Sequence, residues 1–162
     1  MSDRVVDTNV AVVANDARRA LDDPRRRPID CIEAYVDALL ELTRTGRLVI
    51  DEAGEIYAQY LAYLSLGGQP GTGDVFMKWL HDNQWQDEVI IRVPVTPDAA
   101  KGYTEFPDDP DLKDFDWDDR VFVAVVMAHK EWPDIVQAVD YKWHKWADAL
   151  ETHQVQVDFL CG

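Results

Sequence analysis

The sequence predicts an α/β domain built on a parallel sheet. Short apolar patches of strand length alternate along the chain with stretches of helical spacing. Strands alternating with helices imply a parallel sheet covered on both faces. The length, 162 residues at 47% hydrophobic content, fits one domain at roughly 100–200 residues per domain. A chain of this size buries about 68–70% of its unfolded surface, enough for a single core.

The elements follow in order. Val5 and Val6, then residues 10–13, bracket the polar triplet Asp7-Thr8-Asn9, the pattern of a buried strand that ends in polar residues. Residues 16–27 are charged and read as a helix remnant followed by a loop. From Pro28, the positions Ile32, Tyr35, Val36, Leu39 and Leu40 have helical spacing, and Gly46 stands just past the end. Residues 48–50 form a short buried strand. Ile56, Tyr57, Tyr60, Leu61 and Leu64 mark a second helix, stopped by Gly67-Gly68. A flexible loop over 67–73 leads to a third helix carrying Val75, Phe76, Trp79 and Leu80. Residues 89–93 are a strand and 96–116 an acidic loop. Ile135, Val136 and Val139 mark another strand, 141–150 a helix, and 155–160 a last strand. Residues 121–128 are rich in β-branched side chains and fit strand and helix equally well.

Composition excludes several classes. Thirty-one acids against 16 bases give a net charge of −15, which argues against a nucleic-acid coat protein or a polybasic membrane binder. It leaves a nuclease open, because a metal ion reverses the local charge of a site. The longest apolar run, residues 121–128, is far short of the about 20 residues of a bilayer span, so no membrane association is expected. The first residues lack the basic start and long apolar core of a signal peptide, and a cytoplasmic protein is expected. Cys31 and Cys161 have no CxxC neighbour, so a zinc ribbon is excluded and reduced core cysteines are expected rather than a disulfide.

The chemistry-bearing residues are spread along the chain. Asp7 ends the first strand, Asp51, Glu52 and Glu55 follow the second, Asp118 and Asp119 precede the 121–128 segment, and Asp140 follows the strand at 135–139. In a parallel sheet the C-terminal strand ends share one edge, where ligands bind, so carboxylates at these ends converge. Converging carboxylates repel, and a hard divalent cation relieves that repulsion. Mg2+ and Mn2+ favour oxygen ligands, lower the pKa of a bound water and hold a phosphate for in-line attack.

This arrangement resembles the PIN-domain ribonucleases, a family that includes toxins of toxin–antitoxin modules. Val5-Val6-Asp7-Thr8-Asn9-Val10 resembles the family's opening strand with its first metal-site aspartate. Asp119-Arg120-Val121-Phe122-Val123-Ala124 resembles the aspartate that starts a central helix. The strand at 135–139 with Asp140, and then residues 155–160, resemble its last two strands. The resemblance spans nearly the whole chain, residues 1–162, as a single nuclease domain. It implies a three-layer α/β/α fold with a central parallel sheet and makes 121–128 a helix. It also implies a Mg2+- or Mn2+-dependent endoribonuclease that hydrolyses RNA phosphodiester bonds. Asp7, Glu55, Asp119 and Asp140 would be the catalytic and metal-site acids, with Asp51 and Glu52 as alternatives to Glu55. Asn9 would tie the acids together and contact substrate. RNA, an antitoxin protein and a second copy of the chain are the implied partners.

Each of these residues also has a plainer reading. Asp7-Thr8-Asn9 suits a turn, Asp119 and Asp140 suit helix caps, and Glu55 suits a solvated helix face. Arg18, Arg19, Arg25, Arg26 and Arg27 cluster within ten residues. They read as a solvated loop or as an arm in which Arg25, Arg26 and Arg27 grip substrate phosphates. Residues 105–119 hold eight acids and one lysine and read as solvated, with Asp119 the exception. Gly68 and Gly73 have P-loop spacing, but Asp74-Val75 stands where Lys and Ser/Thr are required. Trp143 and Trp146, three apart on a helix, suit core packing better than base stacking. The rival functions are a non-catalytic binding or scaffold protein of the same fold and a metal-dependent phosphatase using the same acids.

Overall fold

The structure, a computed structural model, describes residues 2–15, 29–69, 71–137 and 141–161. Its elements are β1 (Asp3–Val6), α1 (Thr8–Asn15), α2 (Ile29–Thr45), β2 (Arg47–Asp51), α3 (Glu55–Tyr63) and α4 (Thr72–Asn83). They continue with β3 (Ile90–Val93), β4 (Pro97–Asp98), β5 (Gly102–Tyr103), α5 (Arg120–Ala128), β6 (Asp134–Gln137), α6 (Tyr141–Thr152) and β7 (Val157–Phe159). Short 3-10 turns at Pro110–Leu112 and Trp117–Asp119 precede α5.

Five strands form a parallel sheet in the order β3-β2-β1-β6-β7. The order runs outward from β1 in both directions, so the reversal point lies beside β1. That is where an α/β sheet opens its ligand crevice, at the carboxyl ends of the strands. Val5, Val6, Leu48, Val49, Ile50 and Ile135 are all buried, as expected of strands covered on both faces. Helices α1, α2 and α4 pack on one another, while α5 lies against β1, β2 and β6. This architecture is compatible with a three-layer α/β/α fold. Among the described residues no helix is long and apolar enough to cross a membrane.

Two apolar stretches rich in valine are helices. Residues 10–13, which the sequence shows only as an apolar run after the polar triplet, belong to α1. Asp7 turns the chain, its carboxylate accepting the Asn9 N–H at 3.0 Å and its carbonyl the Val10 N–H at 3.1 Å. Residues 121–128 lie in α5, where every residue from Arg120 to Val126 is buried. A valine loses well under 1 kcal/mol of helix propensity relative to alanine, while its burial contributes about 1.5 kcal/mol or more.

The glycine-rich stretch before α4 is a pinned turn rather than a flexible loop. The buried carboxylate of Asp74 accepts the Ser65 N–H at 2.7 Å and the Gly71 N–H at 3.1 Å. The Asp74 N–H in turn donates to Asn15 Oδ1 at 3.0 Å. A Cβ at Gly73 would stand 2.1 Å from the Ala11 carbonyl oxygen, so glycine is what lets α4 approach the backbone of α1.

The cysteines depart from expectation. Cys31 and Cys161 form a disulfide with Cα atoms 5.3 Å apart across 130 residues of sequence. No local pattern announces the pair; the bond is set by packing, which brings the chain beyond β7 to the first turn of α2. Cytosolic proteins rarely keep such a bond, so the cysteines no longer support a cytoplasmic expectation.

Candidate functional site

An open cleft of about 770 Å3 lies at the C-terminal end of β1. Asp7, Thr8, Asn9 and Val12, at the start of α1, form one part of its lining. Helix α3 contributes Glu55, Gln59 and Tyr63, and the turn before α5 contributes residues 116–119. Gln59 Nε2 donates to the Asp118 carbonyl at 2.5 Å, joining α3 to that turn.

Asp7, Glu55 and Asp119, separated by up to 112 positions in sequence, therefore line one cleft. Asp7 is nearly fully buried and caps the entry to α1 while lining the cleft. Its turn role and its place in the cleft coexist. Asp119 occupies the N-cap position of α5, but its side chain makes no capping hydrogen bond there, so capping does not account for it. Asn9 lines the same cleft. Asp140 and Arg25, Arg26 and Arg27, with Arg18 and Arg19, lie outside the described residues.

The choice among Asp51, Glu52 and Glu55 has a geometric basis. Asp51 is completely buried, and its carboxylate accepts the Glu55 N–H at 2.9 Å and the Ile56 N–H at 2.8 Å. It satisfies two of the orphan donors at the start of α3 and is committed to that task. Glu52 is exposed and outside the cleft lining, whereas Glu55 is exposed into it.

Tyr60 sits behind the acids. It is fully buried and donates its hydroxyl to the Val6 carbonyl. Burial, and then the charges of Asp7 and Asp51, push its pKa well up. Tyr103 is pushed up as well, by burial and then by Glu55 and Asp51. A folded-state pKa above the ordinary tyrosine value near 10 means that Tyr60 contributes its full stability below that pH. The contribution is lost as pH rises through the folded value. Tyr60→Phe leaves the Val6 carbonyl without this donor, so it should cost about 1–3 kcal/mol near neutrality. It should also flatten the loss of stability above about pH 10; melting curves from neutral to alkaline pH measure both.

Sequence reasoning missed the residue that shapes the cleft wall. Arg120 is buried and donates to the carbonyls of Phe115, Lys113 and Lys101 at 3.0–3.1 Å and to that of Leu112 at 3.5 Å. Its guanidinium lies 4.4 Å from the Phe106 ring centre and 4.5 Å from that of Trp117. Burial lowers its pKa. The 105–119 run is thus wrapped around an arginine, with Phe106, Leu112 and Phe115 in the core. The only sequence signal is one basic residue opening an otherwise apolar helix. Asp116 and Asp118 join Asp119 in the cleft lining, so Asp119 is not the sole exception in that run. Trp143 and Trp146 are buried against Phe115, at 5.0 and 4.8 Å between ring centres, which fixes them as core residues.

The described lining carries five carboxylates, from Asp7, Glu55, Asp116, Asp118 and Asp119, and neither lysine nor arginine. The Thr8 hydroxyl, also in the lining, is buried with no hydrogen-bond partner among the described residues. No group of three or more His, Cys, Asp or Glu side chains among the described residues is drawn close enough to cage a metal ion. No protein-family model, curated protein or solved structure matches the chain.

Proposed function

We propose that the protein is a PIN-like, Mg2+- or Mn2+-dependent endoribonuclease working in the acidic cleft. The observation that carries this reading is that Asp7, Glu55 and Asp119 line one cleft at the carboxyl edge of a parallel sheet. The donor chemistry fits a hard divalent ion. Every candidate ligand is an oxygen, and the Thr8 hydroxyl adds a buried one with no hydrogen-bond partner among the described residues. Mg2+ keeps several waters and needs only one or two carboxylates. When bound, such an ion supplies a water of lowered pKa and charge to offset the phosphate. The chain's own part is to hold that ion through Asp7, Glu55 and Asp119, with Asp140 following β6. Gln59 ties the two walls of the cleft together, and Arg120 holds the shape of the wall built by the 105–119 run.

A non-catalytic binding role draws support from one observation, the absence of any basic side chain in the described lining. Phosphate affinity normally comes from Lys and Arg. Cleavage of an unstructured RNA in Mn2+ and in EDTA separates the two. The wild type should cleave only with metal, and Asp119→Asn should lose at least about a hundredfold in rate, the size of loss seen when one electrostatic transition-state group is removed. Activity that persists in EDTA or in Asp119→Asn would refute the nuclease reading. Release of phosphate from mononucleotides without RNA cleavage would favour a phosphatase.

A further inference from the structure

Two exposed aromatic side chains of the cleft have no part in the acid site described so far. Tyr63, the last residue of α3, is 69% exposed, and Trp117, in the turn before α5, is 54% exposed. Both line the acidic cleft. Large side chains this open contribute little to the fold, and each belongs to a different wall. Trp117 is also held in place: the Arg120 guanidinium lies over its ring at 4.5 Å, and Gly102 leaves its ring edge room that a Cβ at 3.1 Å would crowd. A ring fixed this way loses little freedom when a ligand stacks on it.

We propose that Tyr63 and Trp117, one on each wall of the cleft, are stacking platforms that grip unpaired bases of a bound RNA strand. The inference rests on the nuclease reading and deepens it. With five carboxylates and no basic residue, the described lining itself offers a polyanion no ion pair. Cations offset the phosphates, and the π faces of the bases provide the remaining grip. Base–aromatic stacking is worth about 1–3 kcal/mol per base and tolerates any sequence. A duplex keeps those faces paired and stacked internally, so it gains nothing from the two rings.

The test is binding of a short single-stranded 2′-O-methyl oligonucleotide in Mn2+, followed by fluorescence anisotropy, with its integrity checked after each titration. Tyr63→Ala and Trp117→Ala should each weaken binding about 5- to 150-fold, the equivalent of one lost stack. Tyr63→Phe and Trp117→Phe should stay near wild type. An abasic strand of the same length should bind the wild type as weakly as the intact strand binds the double alanine variant, and the duplex should bind no better. Trp117→Ala also removes the ring beneath Arg120, so its melting curve is compared with that of Trp117→Phe. Tyr63→Ala carries the test if Trp117→Ala fails to fold.

Alanine variants that bind like wild type would overturn the proposal. So would an abasic strand or duplex that binds as well as the intact strand, or a single strand that does not bind at all. Capture of an arginine-rich peptide in place of the oligonucleotide, with the same aromatic dependence, would replace RNA by a protein partner. Stacking-dependent binding without cleavage would defeat the nuclease reading alone. RNA cleavage at an unchanged kcat/KM in both alanine variants would defeat the stacking inference alone.

Discussion

Saturating Mn2+ should raise the melting temperature by about 5–10 °C. A cation that binds only the folded state stabilises it by RT ln(1 + [L]/Kd), about 2.7 kcal/mol at a hundredfold excess over Kd. For a domain of this size each kcal/mol moves Tm by about 2–4 °C. Asp119→Asn should separate the two effects of its carboxylate. In EDTA the variant should be as stable as wild type or more so, because one of five like charges lining the cleft is gone. In Mn2+ its gain should shrink sharply, because a ligand has gone as well. Melting curves of both proteins in both conditions make the comparison. A wild type that ignores Mn2+, or a variant that keeps the whole shift, would remove Asp119 from the metal site.

Arg120→Met should lower Tm by about 6–12 °C, corresponding to a loss of about 3 kcal/mol. Methionine keeps much of the apolar stem but donates no hydrogen bond, so four backbone carbonyls lose a charged donor. Hydrogen bonds to charged groups contribute about 1.5–3 kcal/mol each, but removing the buried guanidinium also removes its desolvation cost, so the net loss is far below the sum over four carbonyls. Arg120→Lys should recover only a small part, since a single ammonium cannot span carbonyls placed around a planar fork. Because the guanidinium also lies over Trp117, proteolysis of the Arg120→Met variant should begin within residues 101–119, while the sheet persists. A Tm within about 2 °C of wild type, less than 1 kcal/mol, would show that the acidic run holds its shape without Arg120.

The sheet was legible in the sequence because its strands are short apolar runs between helices of clear spacing. β1, β2, β3, β6 and β7 all lie where such runs occur. Residues 121–128 were harder. A valine-rich helix buried on all sides, as over Arg120–Val126, shows no helical period, and propensity alone does not separate it from a strand. α5 is helical because burial outweighs the propensity cost, a tertiary fact.

The site divides along the same line. Asp7, Glu55 and Asp119 were legible because each adjoins a strand end or a helix start, and the parallel sheet carries such positions to one edge. Asp51 adjoins a strand end too, yet it is spent on capping α3, which only geometry reveals. Tyr63, Trp117 and Arg120 were not legible. Tyr63 and Trp117 belong to different walls of one cleft, and Arg120 is enclosed by backbone carbonyls of residues 101–115; no local pattern encodes either. The Cys31–Cys161 bond was hidden in the same way, by contact between distant parts of the chain.

The most direct test of the account is cleavage of a uniformly labelled, unstructured RNA by wild type and by Asp7→Asn, each in Mn2+ and in EDTA. Asp7 follows the end of β1 and is the most buried of the acids in the described lining. Asparagine keeps an oxygen able to accept the Asn9 N–H, so the turn into α1 should survive and the melting curve in EDTA should match wild type. The account predicts cleavage only for the wild type in Mn2+, with Asp7→Asn reduced at least about a hundredfold. Equal cleavage by a folded Asp7→Asn, or cleavage by the wild type that EDTA leaves untouched, would contradict it.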